Sequence, residues 1–494
     1  MPTVTRRTFT KDVALAALGG AAAALPGCAR ASVAPAAKGR PNFVFFLIDD
    51  FGWKDLGCYG STFYETPNTD RLAARGTRFT SAYAASPVCS PTRASIMTGK
   101  NPARLHLTNF LVGDRWPKDS PIRPVTWQHF LPLEERTLAK ALKQAGYATG
   151  FVGKWHLGNA PYTPEAHGFD YNKGGCHMGG PATYFDPYRI PNLPDRKKGE
   201  YLNDRLTDEA ETFLEANRDR PFLLYFAHYA VHIPLQAKKE HADKYAAKKD
   251  GLPPAAGPTF GKEGEHKVRL VQDHPVYAGM VQSMDESVGR IMKKLEDLGL
   301  DSSTVVFFMS DNGGLSTAEG HPTSNVPLRA GKGWLYEGGI REPMIVRWPG
   351  VTREGSTCDV PVISDDFCPT ILEMAGLPPG PEPHADGASL VPILTGRGDL
   401  RRKALYWHYP HYSNQGGRPS GAVRAGDWKL IEQFEDGRAE LYNLKDDLAE
   451  TSDLATRMPD RARELQRMLA AWRTAVGAQM PAPNPDVKPP AARA

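Results

Sequence analysis

Four stretches of the chain are apolar at nearly every position: residues 42–48, 147–152, 221–227 and 303–309. Such runs predict short strands covered on both faces, as in a largely parallel sheet, where strict in–out alternation is not needed. Residues 77–83 and 344–348 predict two more strands. Between them the period changes to that of a helix. Residues 69–76 end at Gly76, 134–145 stop at Gly146, and 203–217 and 365–375 read as further helices. Over 277–298, Met280, Met284, Val288, Ile291, Leu295 and Leu298 share one face, so these methionines belong to a core. Residues 105–133 and 159–200 have neither period and read as excursions, and 236–267 is a basic insertion. The alternation of strands and helices predicts an α/β fold.

The pattern breaks at the prolines of 378–383. Beyond them, 404–409, 422–431 and 440–443 are strand-like, 460–476 is a helix, and a Pro/Ala-rich tail, 481–494, predicts disorder. The organisation read from the chain is therefore a catalytic unit over 41–377 and a C-terminal subdomain over 378–480. The leader, 1–28, carries Arg6-Arg7 and an Ala/Leu-rich run over 13–25 too short to span a bilayer with ease. It looks like a twin-arginine export signal. Leu25-Pro26-Gly27-Cys28 resembles a lipoprotein cleavage box, with plain signal cleavage as the alternative. Residues 29–40 read as a tether. The expected location is thus the periplasm, or the bacterial envelope through a lipid on Cys28.

Composition narrows the function little. A length of 494 residues suits a large domain plus a smaller one, and a formal charge of +4 gives no reason to invoke nucleic acid. Six cysteines without a C-x-x-C pair argue against structural zinc. Cys358 and Cys368 are open either to pairing or to remaining free thiols, as are Cys58 and Cys176.

The chemistry lies where the strands end. The four apolar runs deliver Asp49-Asp50, Lys154 and His156, His228 and His232, and Asp311-Asn312. In an open α/β sheet, ligands bind beyond the carboxyl ends of strands. Asp49, Asp50, Asp311 and Asn312 offer oxygen alone, which suits Ca²⁺ or Mg²⁺. Arg93, Lys154 and Lys332, the last between Gly331 and Gly333, are cations of the kind gathered around a dense anion. His156 and His232 are candidates for proton transfer, while His228 is read as structural. Cys89, in Cys89-Ser90-Pro91-Thr92-Arg93, precedes a small-residue helix whose first turn accepts Pro91.

That Cys-x-Pro-x-Arg run resembles the signature of the type I sulfatases. So do the Asp-Asp after the first strand, Gly153-Lys154-Trp155-His156-Leu157-Gly158, Ser310-Asp311-Asn312-Gly313-Gly314 and Gly331-Lys332-Gly333 with Tyr336-Glu337-Gly338-Gly339. His232-Ile233-Pro234 matches as well, although Val231 stands where many members have proline. The resemblance covers most of 42–375. It implies an alkaline-phosphatase-like large mixed sheet between helices, and a smaller C-terminal α+β domain with an antiparallel sheet. It implies conversion of Cys89 to formylglycine by a formylglycine-generating enzyme. It further implies Ca²⁺ held by Asp49, Asp50, Asp311, Asn312 and modified Cys89, with Arg93 and Lys154 positioning the formylglycine and His156, His232 and Lys332 contacting sulfate.

The expected substrate is a sulfated glycan or small sulfate ester, with galactose or N-acetylgalactosamine sulfates the leading class. The run 406–412 and the loop 174–189 are candidates for sugar contacts, with C-terminal core as the other reading of 406–412. Two rivals are a phosphatase or phosphonate monoester hydrolase using a similar site, and a glycan-binding lipoprotein in which Cys89 is never converted.

Overall fold

The computed structural model describes residues 39–113, 116–253, 257–378 and 386–487. Most of the signal and linker reading, residues 379–383 of the domain break and the last residues of the tail lie outside them. The first strand, β1 (Asn42–Ile48), explains the architecture by its own alternation. Phe43, Phe45 and Leu47 enter one core and Val44, Phe46 and Ile48 another, and every one of them is fully buried. A strand apolar on both faces needs helices on both faces, and has them.

The remaining strands of this sheet are β2 (Thr77–Tyr83), β3 (Ala148–Gly153), β4 (Tyr171–Lys173), β5 (Phe222–Ala227), β6 (Thr304–Ser310), β7 (Arg341–Arg347), β8 (Ser356–Cys358) and β9 (Val362–Ile363). Their order is β8-β2-β7-β6-β1-β5-β3-β4, with β9 also on β2. The pairs β6-β1, β1-β5, β5-β3 and β3-β4 are parallel, and β7 is antiparallel to both β6 and β2. Four central strands therefore point their carboxyl ends at the same rim.

The core on the Phe45 face takes residues from helices α2 (Cys89–Thr98), α3 (Leu138–Gln144) and α7 (Phe367–Met374). The Phe46 face meets α1 (Pro67–Ala74), α4 (Leu202–Ala216), α5 (Lys239–Asp250) and α6 (Pro275–Asp297). A second sheet is antiparallel, in the order β10 (Leu405–Tyr409), β11 (Ser420–Ala425), β12 (Trp428–Gln433), β13 (Ala439–Asn443). Helix α8 (Pro459–Val476) covers one of its faces through Leu465 and Leu469. The other face, with Trp407, Ala422 and Ile431, packs on Tyr83 and Ile340 of the larger unit. The fold is the mixed, alkaline-phosphatase-like architecture with a small antiparallel sheet.

Several elements differ from the sequence reading. The helix expected over 134–145 begins at Leu138, because Thr137 caps it by accepting from Lys140 N. The stretch 422–431 is part of a hairpin, β11 and β12, turned at Gly426 (φ 61°). The insertion 236–267 contains α5 and half of a hairpin, Phe260–Glu263 with His266–Arg269. The tail is ordered at its start: Ala482 and Pro483 pair with Arg123 and Ile122, and Asn484 bonds back to residues 118–121. Cys368 carries a free thiol, so it does not pair with Cys358, and Cys58 and Cys176 are free as well. Among the described residues no helix is long and apolar enough to cross a membrane.

Candidate active site

The rim formed by β1, β3, β5 and β6 gathers the residues singled out at the strand ends. Asp49 and Asp50 leave β1 at a sharp bend, with Asp50 at φ 58°, a left-handed conformation uncommon outside glycine that aspartate tolerates better than most. The bend is fixed on both sides. Asp49 N donates to Ala230 O at 3.1 Å, and Val231 N returns a bond to Asp49 O at 2.8 Å. Asp50 N donates to Asp311 Oδ1 at 3.2 Å, which ties β1 to β6.

Three carboxylates and three cations interlock here in complete burial. Lys154 Nζ lies 2.6 Å from Asp49 Oδ2. Arg93 reaches Asp311 Oδ2 through Nε at 2.8 Å, and its NH1 donates to Lys154 O at 2.8 Å. Lys332 Nζ lies 2.7 Å from Asp50 Oδ1, and Asn312 Nδ2 donates to the same oxygen at 2.8 Å. Burial opposes the Asp50 charge, but Lys332 and His232 hold its carboxyl below the ordinary carboxylate range. The Lys332 ammonium is likewise held above its usual value by Asp50, against the pull of burial. Asp49 is different: burial, Asp311 and Asp50 push its carboxyl up in spite of Lys154.

That imbalance bears on a cation. Asp49 Oδ1 and Asn312 Oδ1 are buried oxygens with no hydrogen-bond partner, a costly state for a polar atom. With Asp50 and Asp311 they form an all-oxygen donor set, which fits a hard divalent ion such as Ca²⁺. Ligand atoms of Asp49, Asp50 and His232 also fall within 4.8 Å of one another, so the histidine borders the same space.

Cys89 is the first residue of α2, where free backbone N–H groups favour an anion. Its Sγ lies 3.3 Å from His156 Nδ1. The next residue, Ser90, donates to His156 O at 2.8 Å and fixes the backbone that carries the imidazole. Burial lowers the His156 ring well below its normal value, and Lys154 and Arg93 lower it further. His232 turns Nδ1 to Ile233 O at 2.8 Å, leaving Nε2 3.6 Å from Asp50 Oδ2, and burial pushes its ring down to about 3. His228 faces the other way. It stacks on Phe226 and bonds Ser287 Oγ of α6 at 2.9 Å, as a core residue does.

Two residues escaped the sequence reading. A Cβ added to Gly179 would lie 2.8 Å from His156 Cε1, and one on Gly180 would lie 2.8 Å from His232 Nδ1. Consecutive glycines thus let one backbone segment lie against both imidazoles. The only sequence signal was the glycine doublet inside a long excursion. Most of the aromatic run 406–412 turns inward instead. Trp407 donates to Ala84 O, Tyr409 to Asn109, and His411 bonds Thr108, so C-terminal packing is its main role.

A mixed α/β sheet with a buried acid–base cup, a cysteine-headed helix and flanking histidines defines an ester hydrolase of the alkaline-phosphatase-like fold. The chain belongs to the sulfatase family and is a sulfuric ester hydrolase: the Sulfatase family model matches residues 41–377. A second, described as N-sulphoglucosamine sulphohydrolase, C-terminal, matches 330–474. Human N-acetylgalactosamine-6-sulfatase is 34% identical, with 74% of this chain and 68% of that protein covered. A sulfatase of Formosa agariphila is 32% identical, covering 88% and 89%. Among solved structures, Ps i-CgsB superposes with a TM-score of 0.72 at 29% identity, covering 88% of this chain and 93% of that one. A phosphonate monoester hydrolase of Agrobacterium radiobacter shares the fold, with a TM-score of 0.65 at 20% identity, covering 88% and 96%.

Proposed function

We propose that the protein hydrolyses sulfate esters of sugars, of the galactose or N-acetylgalactosamine class, with formylglycine made from Cys89 and with Ca²⁺. The observation that carries this reading is the position of Cys89: it heads a helix beside His156, with Lys154, Lys332, Arg93, Asp311 and Asp49 close enough to act on its charge. The substrate class is supported by N-acetylgalactosamine-6-sulfatase as a relative, and by the structure of Ps i-CgsB in complex with k-i-k-neocarrahexaose.

Asp49, Asp50, Asp311 and Asn312 would hold Ca²⁺, joined by the converted side chain of residue 89. A hydrated aldehyde there would supply one hydroxyl to attack sulfur as the bond from sulfur to the sugar oxygen breaks, and a second whose loss of a proton would expel sulfate and restore the aldehyde; bound Ca²⁺ would lower the cost of negative charge on the reacting oxygens. Lys332 and Lys154 bind the sulfonate oxygens. Arg93, fixed by Asp311 and by Lys154 O, positions the side chain of residue 89. His232, with Nδ1 committed to Ile233 O, turns Nε2 to the departing sugar oxygen; the negative charge of a bound sulfate would favour the doubly protonated ring, whose Nε2 proton goes to that oxygen. His156, with Nδ1 toward residue 89, accepts a proton from that side chain.

The leader pattern at Arg6-Arg7 and Cys28 supports export to the periplasm or an envelope anchor. Twin-arginine export moves folded chains, so a formylglycine-generating enzyme would meet Cys89 in the cytoplasm.

Three measurements test the reading. Mass spectrometry of the peptide carrying residue 89 is expected to show a loss of about 18 Da, the change for thiol to aldehyde. A panel of position-defined sulfated monosaccharides is expected to be turned over, with 4-nitrophenyl sulfate preferred to 4-nitrophenyl phosphate. Lys332→Ala is expected to lower the rate by about 10²–10³, the usual loss for one charge-stabilising donor. An unmodified Cys89 in active protein, or a preference for the phosphate, would overturn the assignment.

A further inference from the structure

A second cluster of buried charge lies outside the cup. Lys429, on β12 of the small sheet, is fully buried between two carboxylates, 2.9 Å from Glu337 Oε1 and 2.9 Å from Glu450 Oε1. Glu337 is itself fully buried. Its Oε2 accepts from Tyr83 OH at 2.7 Å and from Arg341 NH1 at 2.9 Å, and its backbone N donates to Glu450 Oε2 at 2.6 Å. Burial alone would raise the Glu337 carboxyl, but Lys429 and Arg341 hold it below the ordinary carboxylate range. Ion pairs this deep need good geometry to repay desolvation, and losing one partner strands the other charge.

What Glu337 anchors is the segment that carries Lys332. Gly338 N donates to Arg329 O at 2.9 Å, and Gly339 N to Tyr336 O at 2.9 Å, so the turn from 329 to 339 is closed on itself. Gly339 O accepts from Gly313 N at 3.1 Å, next to Asn312 of the cup. The C-terminal unit grips the same turn a second time. A Cβ on Gly333 would lie 2.1 Å from Ser413 Oγ, one on Gly417 would lie 1.7 Å from Gly333 O, and Trp334 Nε1 donates to Gln415 O at 2.9 Å. The segment around Lys332 is thus held at 333–334 and again at 337, both times by residues beyond 400.

We propose that Lys429 and Glu337 are positioning residues for catalysis, through which the C-terminal sheet sets the place of the Lys332 ammonium. This rests on the sulfate-binding role given to Lys332. The small sheet then does more than cover apolar surface. It supplies one wall of the active site indirectly, by adding to the bonds that Lys332 N makes to Gly314 O and Gly333 N makes to Pro87 O a second set of anchors on the same turn.

The test is a double-mutant cycle on the full, matured chain with 4-nitrophenyl sulfate. Lys429→Met in the parent is expected to lower kcat by about 10–10², the scale of a misplaced catalytic group. In the Lys332→Ala background the same change is expected to cost less than about twofold, because groups acting as a unit are not additive. Lys429→Arg, which keeps the charge, is expected to restore most of the loss. Glu337→Gln, isosteric and still able to bond Tyr83, runs through the same cycle and covers the case in which Lys429→Met does not fold. Equal losses in both backgrounds, or a folded variant with parental kcat, overturn the inference. An unchanged rate for Lys332→Ala alone would instead overturn the role of Lys332, so the two failures are distinct.

Discussion

At position 180 the backbone and an imidazole already occupy the space of a side chain. Gly180→Ala places a methyl group against His232 Nδ1, and Gly179→Ala does the same at His156 Cε1. Either ring must shift by a few tenths of an ångström or more. We expect each variant to stay folded and lose about 10–10² in kcat, since small misplacements of reacting groups carry costs of that order. Steady-state kinetics with thermal melting separates this from unfolding. The two histidines of β5's outgoing loop make the opposite pair. His228→Ala removes a buried bond to Ser287 and should destabilise by about 1–3 kcal/mol, read from denaturant midpoints, with kcat unchanged. His232→Ala should lower kcat with little change in stability. Residue by residue, the cup was legible where a functional side chain followed an apolar strand, as at Asp49, Asp50, Lys154, His156, Asp311 and Asn312. Gly179 and Gly180 follow no strand end. Lys429 meets Glu337 across 92 residues of chain, and no local pattern carries that.

At the scale of elements, the apolar strands of the large sheet were plain because burial on both faces leaves no polar positions to confuse the period. Boundaries depended on polar detail instead. Residues 134–137 share the amphipathic pattern of the helix after them, yet Thr137 ends the pattern by capping it. Its Oγ1 also donates to His167 O at 2.6 Å. Thr137→Ala should therefore cost about 1–2 kcal/mol, the upper part of the range for a lost cap, measured by urea denaturation. The hairpin β11–β12 was hidden for a related reason. Gly426 and Asp427 interrupt an otherwise strand-like run by two residues only, and so short a turn leaves the hydrophobic period nearly unbroken.

For the molecule as a whole, several histidines fold in the neutral state. Burial lowers His167 and His408 to about 4 and His411 to about 3, from an ordinary value of 6.5. A group whose folded pKa is depressed stabilises above its unfolded pKa and loses that contribution as pH falls toward the folded one. Stability should thus decline from about pH 6.5 downward to about pH 4. His411 bonds Thr108 of the 105–133 excursion and His408 bonds Gln479 O beyond α8, so these two neutral rings seat the small sheet against neighbouring segments. Melting temperature followed against pH should show this slope, and His408→Gln with His411→Gln should flatten it. Asp365 works in the other direction: burial and nearby Asp386 raise its carboxyl to about 8, so its contribution fades as pH climbs from 3.8 toward 8.

The pairing of Ala482 and Pro483 with Ile122 and Arg123 has a practical corollary. These late residues act as a latch on the excursion that follows the cysteine-bearing helix and touches it where Leu111 N donates to Ser90 Oγ at 3.1 Å. Anyone trimming the protein for crystallisation, or fusing a partner to its end, should cut or join after residue 487. A chain stopped at Met480 would free that excursion far from the cut, and the damage would surface as poorer catalysis in an otherwise well-behaved preparation.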